Sequence, residues 1–208
     1  MECMTARFDL DTGSAADVVV LADTSGRPVG TAPRLEVHTA TTPIHLAYST
    51  YLRRPDGKVL LTRRALSKKT WPGVWTNTAC GHLRPGETAR DAALRRVPEE
   101  IGATPENLVL KLPRFRYRAV DASGVVENEF CPVFVGEVNP DRILINPDEV
   151  AEVAWVEWAD LQHIAATAPA LISPWAVMEI GELGDDPWAD TADVDPEAAP
   201  SALAVPGI

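Results

Sequence analysis

Cysteine is scarce. Cys3, Cys80 and Cys131 are the only three in 208 residues, too few and too scattered for a disulfide framework. An odd count raises the question of a reactive thiol, and the plain alternative is a small buried apolar side chain. Long apolar runs are missing as well. No stretch approaches the roughly 20 residues needed to span a bilayer, and Asp9, Asp11 and Asp17 interrupt any apolar segment a secretory signal would need. A cytoplasmic protein without a membrane partner is expected. Positive charge is missing from the last third: beyond Arg142 there is neither Lys nor Arg, while Asp and Glu number thirteen. The net charge of −11 is therefore uneven, with −13 on residues 143–208 and +2 on residues 1–142. The first two thirds can host an anion. A nucleic-acid partner would need a basic face, which the sequence does not offer. Internal repeats are absent, and nothing suggests more than a monomer or weak dimer.

What is present reads as one layered domain with loose ends. Residues 1–16 are polar and aperiodic, a flexible N-terminal segment, and residues 17–181 hold the domain. Asp17 to Asp23 is a β-branched run followed by the turn cluster Thr-Ser-Gly-Arg-Pro, a strand and hairpin. Residues 44–53 and 58–63 flank Pro55-Asp56-Gly57, a second hairpin with a favoured turn pair. Residues 88–101 form the clearest helix: Thr88 caps it, Asp91 answers as capping-box partner and Gly102 follows its end. Ala89, Ala92, Ala93, Val97 and Ile101 share one face, and Pro98 is expected to distort the last turn. Further strands are expected at 114–120, 129–137 and 151–158, and helices at 159–166 and 173–181. Residues 182–208, rich in Asp, Ala and Pro, read as an acidic disordered tail with Trp188 as its only anchor. The fold class is α/β or α+β, a mixed sheet with flanking helices.

The segment Gly81 to Ala103 has the pattern G-x5-E-x7-R-R-V-P-E-E-I-G-A. A loop carrying Glu87 leads into a helix whose last turns present Glu99 and Glu100, and Arg96 shares a face with Glu100. Carboxylates so placed suit Mg²⁺. The bland reading is a surface helix with solvated i,i+4 pairs. The pattern resembles the Nudix box, with one departure: the Glu expected after Arg95 is Arg96. That change removes a metal ligand and argues against ordinary Nudix pyrophosphate hydrolysis.

A second constellation lies outside that segment. His38, His45 and His82, with Glu127 and Glu129, are a suitable donor set for a divalent transition metal. Taken singly, each His reads equally as a hydrogen-bonded structural residue, and Glu127 and Glu129 as two carboxylates on one strand face. Around them stand H-T-x-x-T-P-x-H-L-A-x-S, then T-R-R-A-L-S-K-K-x-W-P-G-V-W-T-N-T-x-C-G-H from Thr62 to His82. F-R-Y-R-A, G-x-V-E-N-E-x-C-P-V and S-P-W follow, ending at Trp175. In this order, over about residues 17–180, these strings resemble the type I isopentenyl-diphosphate isomerases.

The resemblance implies a reaction and roles. An alkene is protonated at its terminal carbon to give a tertiary cation, and C2 loses a proton, turning isopentenyl into dimethylallyl diphosphate. Cys80 and Glu129 would be the two proton-transfer groups. Tyr117 would hydrogen-bond to the Glu129 carboxylate, and Trp175 would face the cation, although both also suit plain packing. Arg34, Arg64, Lys68 and Arg96 would contact the diphosphate, with Arg63 and Lys69 supplying field. Mg²⁺ would lie between diphosphate, Glu100 and the backbone carbonyl of Cys80. A second divalent ion (Mn²⁺, Zn²⁺ or Mg²⁺) would take the His/Glu site. Glu87 would support the metal ligands or stay structural. Two positions depart from the family pattern, Leu83 where Pro is usual and Pro98 inside the helix. They leave open a divergent enzyme of another prenyl diphosphate, beside a Nudix pyrophosphohydrolase and a metal-binding regulator in which Cys80 is dispensable.

Overall fold

The structure, a computed structural model, describes residues 17–207. The expected flexible segment at 1–16, with Cys3, lies outside the described residues. In chain order the strands are β1 (Val18–Ala22), β2 (Pro28–Pro33), β3 (His45–Arg53), β4 (Val59–Arg64), β5 (Trp75–Thr76) and β6 (Ala79–His82). Helix α1 (Ala89–Ile101) is followed by β7 (Glu106–Leu112), β8 (Arg116–Val120), β9 (Val126–Phe130), β10 (Val133–Glu137) and β11 (Val150–Val156). Helices α2 (Trp158–Thr167) and α3 (Pro174–Leu183) complete the domain. No helix among the described residues is long and apolar enough to cross a membrane.

Strand β3 organises the sheet. Along one edge it pairs antiparallel with β1, β6 and β4 in turn, at Leu21↔His45, Ala47↔His82 and Arg53↔Val59. Along the other it pairs parallel with β9 and then β10 in a single register, from His45↔Glu129 to Arg53↔Glu137. The strand expected at 129–137 is thus two, split at Cys131-Pro132, because proline has no N–H to give the ladder. The Pro132 carbonyl still accepts the Ser49 amide at 3.0 Å, which keeps the register across the break.

Side chains alternate across β3, so its two faces build two cores. Leu46, Tyr48 and Leu52 pack with Ala92, Ala93, Val97 and Ile101 of α1. Ala47 and Tyr51 pack on the opposite side with Leu161 of α2 and Trp175, Ala176 and Ile180 of α3. The result is a helix–sheet–helix sandwich, each face closed by its own apolar stripe.

Helix α1 forms with the expected ends. The Thr88 hydroxyl accepts the Asp91 amide at 3.2 Å, and the Asp91 carboxylate accepts the Thr88 amide at 2.9 Å. Gly102 closes the helix at φ 72°, and a Cβ there would lie 2.7 Å from the Leu144 carbonyl oxygen, so glycine is required twice over. Pro98 does not end the helix, which runs on to Ile101. Leu94, whose carbonyl lacks the Pro98 donor, is exposed on the solvent side, where water can take the bond. The other departure, Leu83, is fully buried and its amide donates to the Leu46 carbonyl at 3.1 Å. Leucine extends the β6–β3 ladder by one bond that proline could not make.

The tail corrects the sequence expectation: residues 185–207 are docked rather than loose. The Trp188 indole donates to the Gly136 carbonyl at 2.9 Å and meets Trp158 edge-on at 5.4 Å. Asp193 takes both the Arg90 guanidinium, at 2.7 Å, and the Leu110 amide, at 2.8 Å. Ala202 is fully buried in the α1 core and exchanges two backbone bonds with the loop before α1, to Gly86 and Glu87. Small residues and backbone bonds hold this segment, so its shortage of large apolar residues did not leave it free. Deleting residues 185–208 is therefore expected to lower the calorimetric midpoint by at least about 4 °C, the shift that roughly 1–2 kcal/mol produces in a domain of this size. An unchanged midpoint would place the tail outside the cooperative unit.

Candidate active site

Period-two alternation and the β3 register decide which side chains meet. His45, Ala47, Ser49 and Tyr51 share one face of β3. Glu129 lies opposite His45, His82 opposite Ala47, and Cys80 opposite Ser49. Glu127 shares the Glu129 face two residues upstream, and Tyr117 is the Glu129 partner on β8. His38 comes in from the loop before β3. Lys69 fixes that loop by donating to the carbonyls of Leu35 and His38, at 3.3 and 3.1 Å.

The five predicted ligands converge. One donor atom from each of His38, His45, His82, Glu127 and Glu129 lies within 4.8 Å of every other, and the imidazole centroids are 4.9 to 5.2 Å apart. His38 Nε2 approaches Glu127 Oε2 at 2.9 Å, and His45 Nε2 and His82 Nε2 both approach Glu129 Oε1 at 3.2 Å. Yet His38 Nε2, His45 Nε2 and Glu127 Oε2 are buried without a hydrogen bond. Only His82 and Glu129 bond one another within the set, and lone pairs that crowd one point unpartnered are arranged as metal ligands are; a mixed imidazole–carboxylate set suits a divalent ion. Supporting bonds orient the set. His45 Nδ1 lies 3.0 Å from the Pro43 carbonyl, which fixes the proton there and leaves Nε2 as the free donor. Thr70 donates to Glu127 Oε1 and Tyr117 to Glu129 Oε2, each at 2.8 Å.

Protonation follows from the same contacts. Burial pushes the Glu129 carboxyl up, but the close approach of His45 and His82 outweighs burial and holds it well below the usual carboxylate range. Burial lowers His82, whereas for His45 the Glu129 carboxylate overcomes burial and raises it. Burial pushes the Tyr117 hydroxyl and the Cys80 thiol well above their ordinary values. Beside Cys80 the Arg64 guanidinium pulls the other way, while Glu100, Glu129 and Glu179 add to the rise.

Trp175 packs over this face. Its indole donates to Asn77 Oδ1 at 3.1 Å, and the ring lies 5.6 Å from Tyr117 and 5.3 Å from Trp71. Arg64 stands 5.6 Å above the same ring and donates to the Thr70 carbonyl at 3.0 Å. Trp71 is held at φ 43°, a left-handed position that costs a bulky residue on the order of 1–3 kcal/mol. Sequence reading assigned Trp71 no role. Arg63, expected only to supply field, is tied to the Gly73 carbonyl and to Glu152.

The cations for an anion gather on the α1 side. Arg96 reaches Glu99 and Glu100, each at 2.8 Å, and Glu149 at 3.3 Å. Lys68 pairs with Glu149. Arg34 is bound by Asp17 at 2.7 Å, with Arg96 and Glu149 near enough to act on its charge. Burial pushes Glu100 up to about 7, with Glu149 adding and Arg96 opposing. Glu87 takes Arg95 at 2.6 and 2.8 Å, and Arg95 also reaches the His82 carbonyl at 3.3 Å, so Glu87 bears on the His/Glu cluster through Arg95. Glu149 and Glu179 escaped sequence reading, one in an Asn-Pro-Asp-Glu turn and the other beside half-exposed Met178.

These features define a Nudix protein, and residues 43–176 match the NUDIX domain family. The fold is shared with DR0079 from Deinococcus radiodurans, TM-score 0.61 at 18% identity over 81% of this chain and 99% of that one. The MutT protein of Methanosarcina mazei Go1 aligns at TM-score 0.53 and 19% identity over 69% of this chain and 97% of that one. At such identities the likeness is one of fold. Sequence goes further. The isopentenyl-diphosphate Delta-isomerase of Corynebacterium diphtheriae is 54% identical over 79% of this chain and 91% of its own. That of Cutibacterium acnes is 51% identical over 82% and 88%. The chain belongs to the isopentenyl-diphosphate Delta-isomerase family of the Nudix superfamily.

Glu179 yields a stability test. It is fully buried on α3, accepts the Tyr51 hydroxyl at 2.8 Å and has its other oxygen unpaired. Burial raises it to about 8. The folded chain then keeps a proton that the unfolded chain, titrating near 4.5, gives up. Stability must fall as pH rises between those values. Relative to wild type, Glu179→Gln should gain up to a few kcal/mol by pH 8.5 and nothing near pH 4 in urea unfolding. A pH-independent difference would show Glu179 ionised in the fold.

Proposed function

We propose that the protein interconverts isopentenyl and dimethylallyl diphosphate, as the names of its relatives indicate for those proteins. The observation that carries this reading is the placement of Cys80 and Glu129 on one face of the sheet, reached from opposite edges of β3. The reaction needs an acid and a base on two sides of one alkene, and this arrangement offers a thiol from β6 and a carboxylate from β9. Tyr117 bonds to Glu129 and positions the proton on that side. Trp175 supplies an indole face to the tertiary cation, an attraction on the order of 2 kcal/mol once desolvated. Arg64 stands over the same ring, so a diphosphate it binds brings the prenyl chain to the indole. Trp71, Phe115, Ile172 and Trp175 are buried in one apolar cluster with Tyr117, which would keep out the water that traps a cation.

The diphosphate takes Arg34, Arg64, Lys68 and Arg96. Glu100 and the Cys80 carbonyl would hold Mg²⁺ there, and His38, His45, His82, Glu127 and Glu129 would hold a second divalent ion, Mn²⁺, Zn²⁺ or Mg²⁺. When bound, these ions supply positive charge, one against the diphosphate and one against Glu129, whose proton affinity it alters. Arg96 argues against a hydrolase, since a guanidinium held by Glu99 and Glu100 occupies the place of a carboxylate. Neither Leu83 nor Pro98 favours a different prenyl diphosphate: one is absorbed by the core and the other leaves α1 continuous.

The test is conversion of isopentenyl diphosphate with Mg²⁺ present, followed by chromatography of the products. Wild type should form dimethylallyl diphosphate, and Cys80→Ala and Glu129→Gln should each lose about 10²–10⁴-fold or more in kcat. A folded, metal-loaded wild type that yields no product, or releases phosphate instead, overturns the assignment.

A further inference from the structure

Residues 143–149 are clipped to the end of α1 through backbone bonds. Leu144 donates to Ile101, Asn146 to Glu100 and Glu149 to Asn146, at 2.8 to 3.0 Å, and the Glu149 carbonyl accepts the Ala65 amide at 3.0 Å. The backbone of Glu149 is thus fixed between α1 and the end of β4 without help from its side chain. That side chain goes to cations. Oε2 takes Lys68 and Oε1 lies 3.3 Å from Arg96, while the Arg34 charge also feels it. Arg96 does not need this third carboxylate, because Glu99 and Glu100 already bind it at 2.8 Å.

We propose that Glu149 is an internal stand-in for the substrate's diphosphate, holding Lys68 and Arg96 in position and yielding them only to a more highly charged anion. This rests on the reading of Arg34, Lys68 and Arg96 as the diphosphate site. A carboxylate divides its two oxygens between the two cations much as two phosphoryl oxygens would, which keeps both long side chains ordered in the free protein. An incoming anion must then outbid a charge of −1. A diphosphate with Mg²⁺ does so readily and a monophosphate poorly, so Glu149 sets how strongly an anion must bind before it holds the two cations.

The experiment is calorimetric binding of inorganic pyrophosphate and of inorganic phosphate, with Mg²⁺, to wild type, Glu149→Gln, Lys68→Met and the double variant. Glutamine keeps the size and an acceptor oxygen but removes the charge. Glu149→Gln should bind pyrophosphate about tenfold tighter, and phosphate, with less charge for Glu149 to repel, should gain by no more than that. In the Lys68→Met background the gain should shrink to about threefold or less, because Glu149 acts partly through Lys68. Thermal melts confirm that each variant is folded. Equal or weaker pyrophosphate binding by Glu149→Gln overturns the stand-in role while leaving the diphosphate site intact. Absence of pyrophosphate binding by wild type itself overturns the diphosphate reading, and the stand-in with it.

Discussion

A carboxylate buried in a protein must be neutralised or fully bonded, and Glu129 is 5% exposed on the face of a sheet. It meets His45, His82 and Tyr117 within 3.2 Å, and Glu127, buried beside it, meets His38 and Thr70. Much else in the structure follows from satisfying these two side chains. The Pro43 carbonyl orients His45, Lys69 clasps the His38 loop, and Arg95 reaches the carbonyl behind His82. Even so, three donor atoms of the cluster stay without a hydrogen bond. Two carboxylates and three imidazoles cannot all be satisfied by one another, and a divalent cation bound among them would remove the deficit that remains.

The sheet converts this local requirement into a global one. Because one register runs from His45↔Glu129 to Arg53↔Glu137, a slip of a single residue would turn the carboxylates to the α1 core and the apolar residues toward the His/Glu cluster. Stability and site geometry are therefore specified by the same pairing. Strand β6 carries the two halves of the site together. Cys80 and His82 point to the α3 side, while Gly81 faces α1, where the Arg96 side chain lies close enough to be 3.5 Å from a Cβ placed there. Arg96 and the face that carries Cys80 and His82 meet across one glycine.

Much of this was legible in the sequence. The capping box and Gly102 delimited α1 to within a residue, and the Asp56-Gly57 turn located the β3–β4 hairpin. The five His and Glu side chains of the cluster were singled out from residue type and order, although only the register shows why they meet. Strand β7 was not expected, since Glu106, Asn107 and Lys111 break its alternation and Asn107 sits at φ 49°. The docked tail was missed because it is held by a buried alanine, one tryptophan and backbone bonds, none of which composition reveals. Glu149 and Glu179 were missed for a shared reason. An acidic residue in a turn or on a helix reads as solvated unless the cation or tyrosine facing it is known, and Arg96 and Tyr51 lie 53 and 128 positions away.

The central claim is that the buried imidazole–carboxylate cluster is completed by a divalent ion. The most direct measurement is thermal unfolding of metal-stripped protein titrated with Mn²⁺, for wild type and for His45→Ala. Binding that favours the folded state at 100 times Kd adds about 2.7 kcal/mol, or roughly 5–10 °C in midpoint for a domain of this size. The account predicts that rise for wild type, with saturation at one equivalent of tightly bound ion, and its loss in His45→Ala. A wild-type midpoint indifferent to Mn²⁺, Zn²⁺ and Mg²⁺ alike would contradict it, and would leave the cluster as a self-contained hydrogen-bonded core.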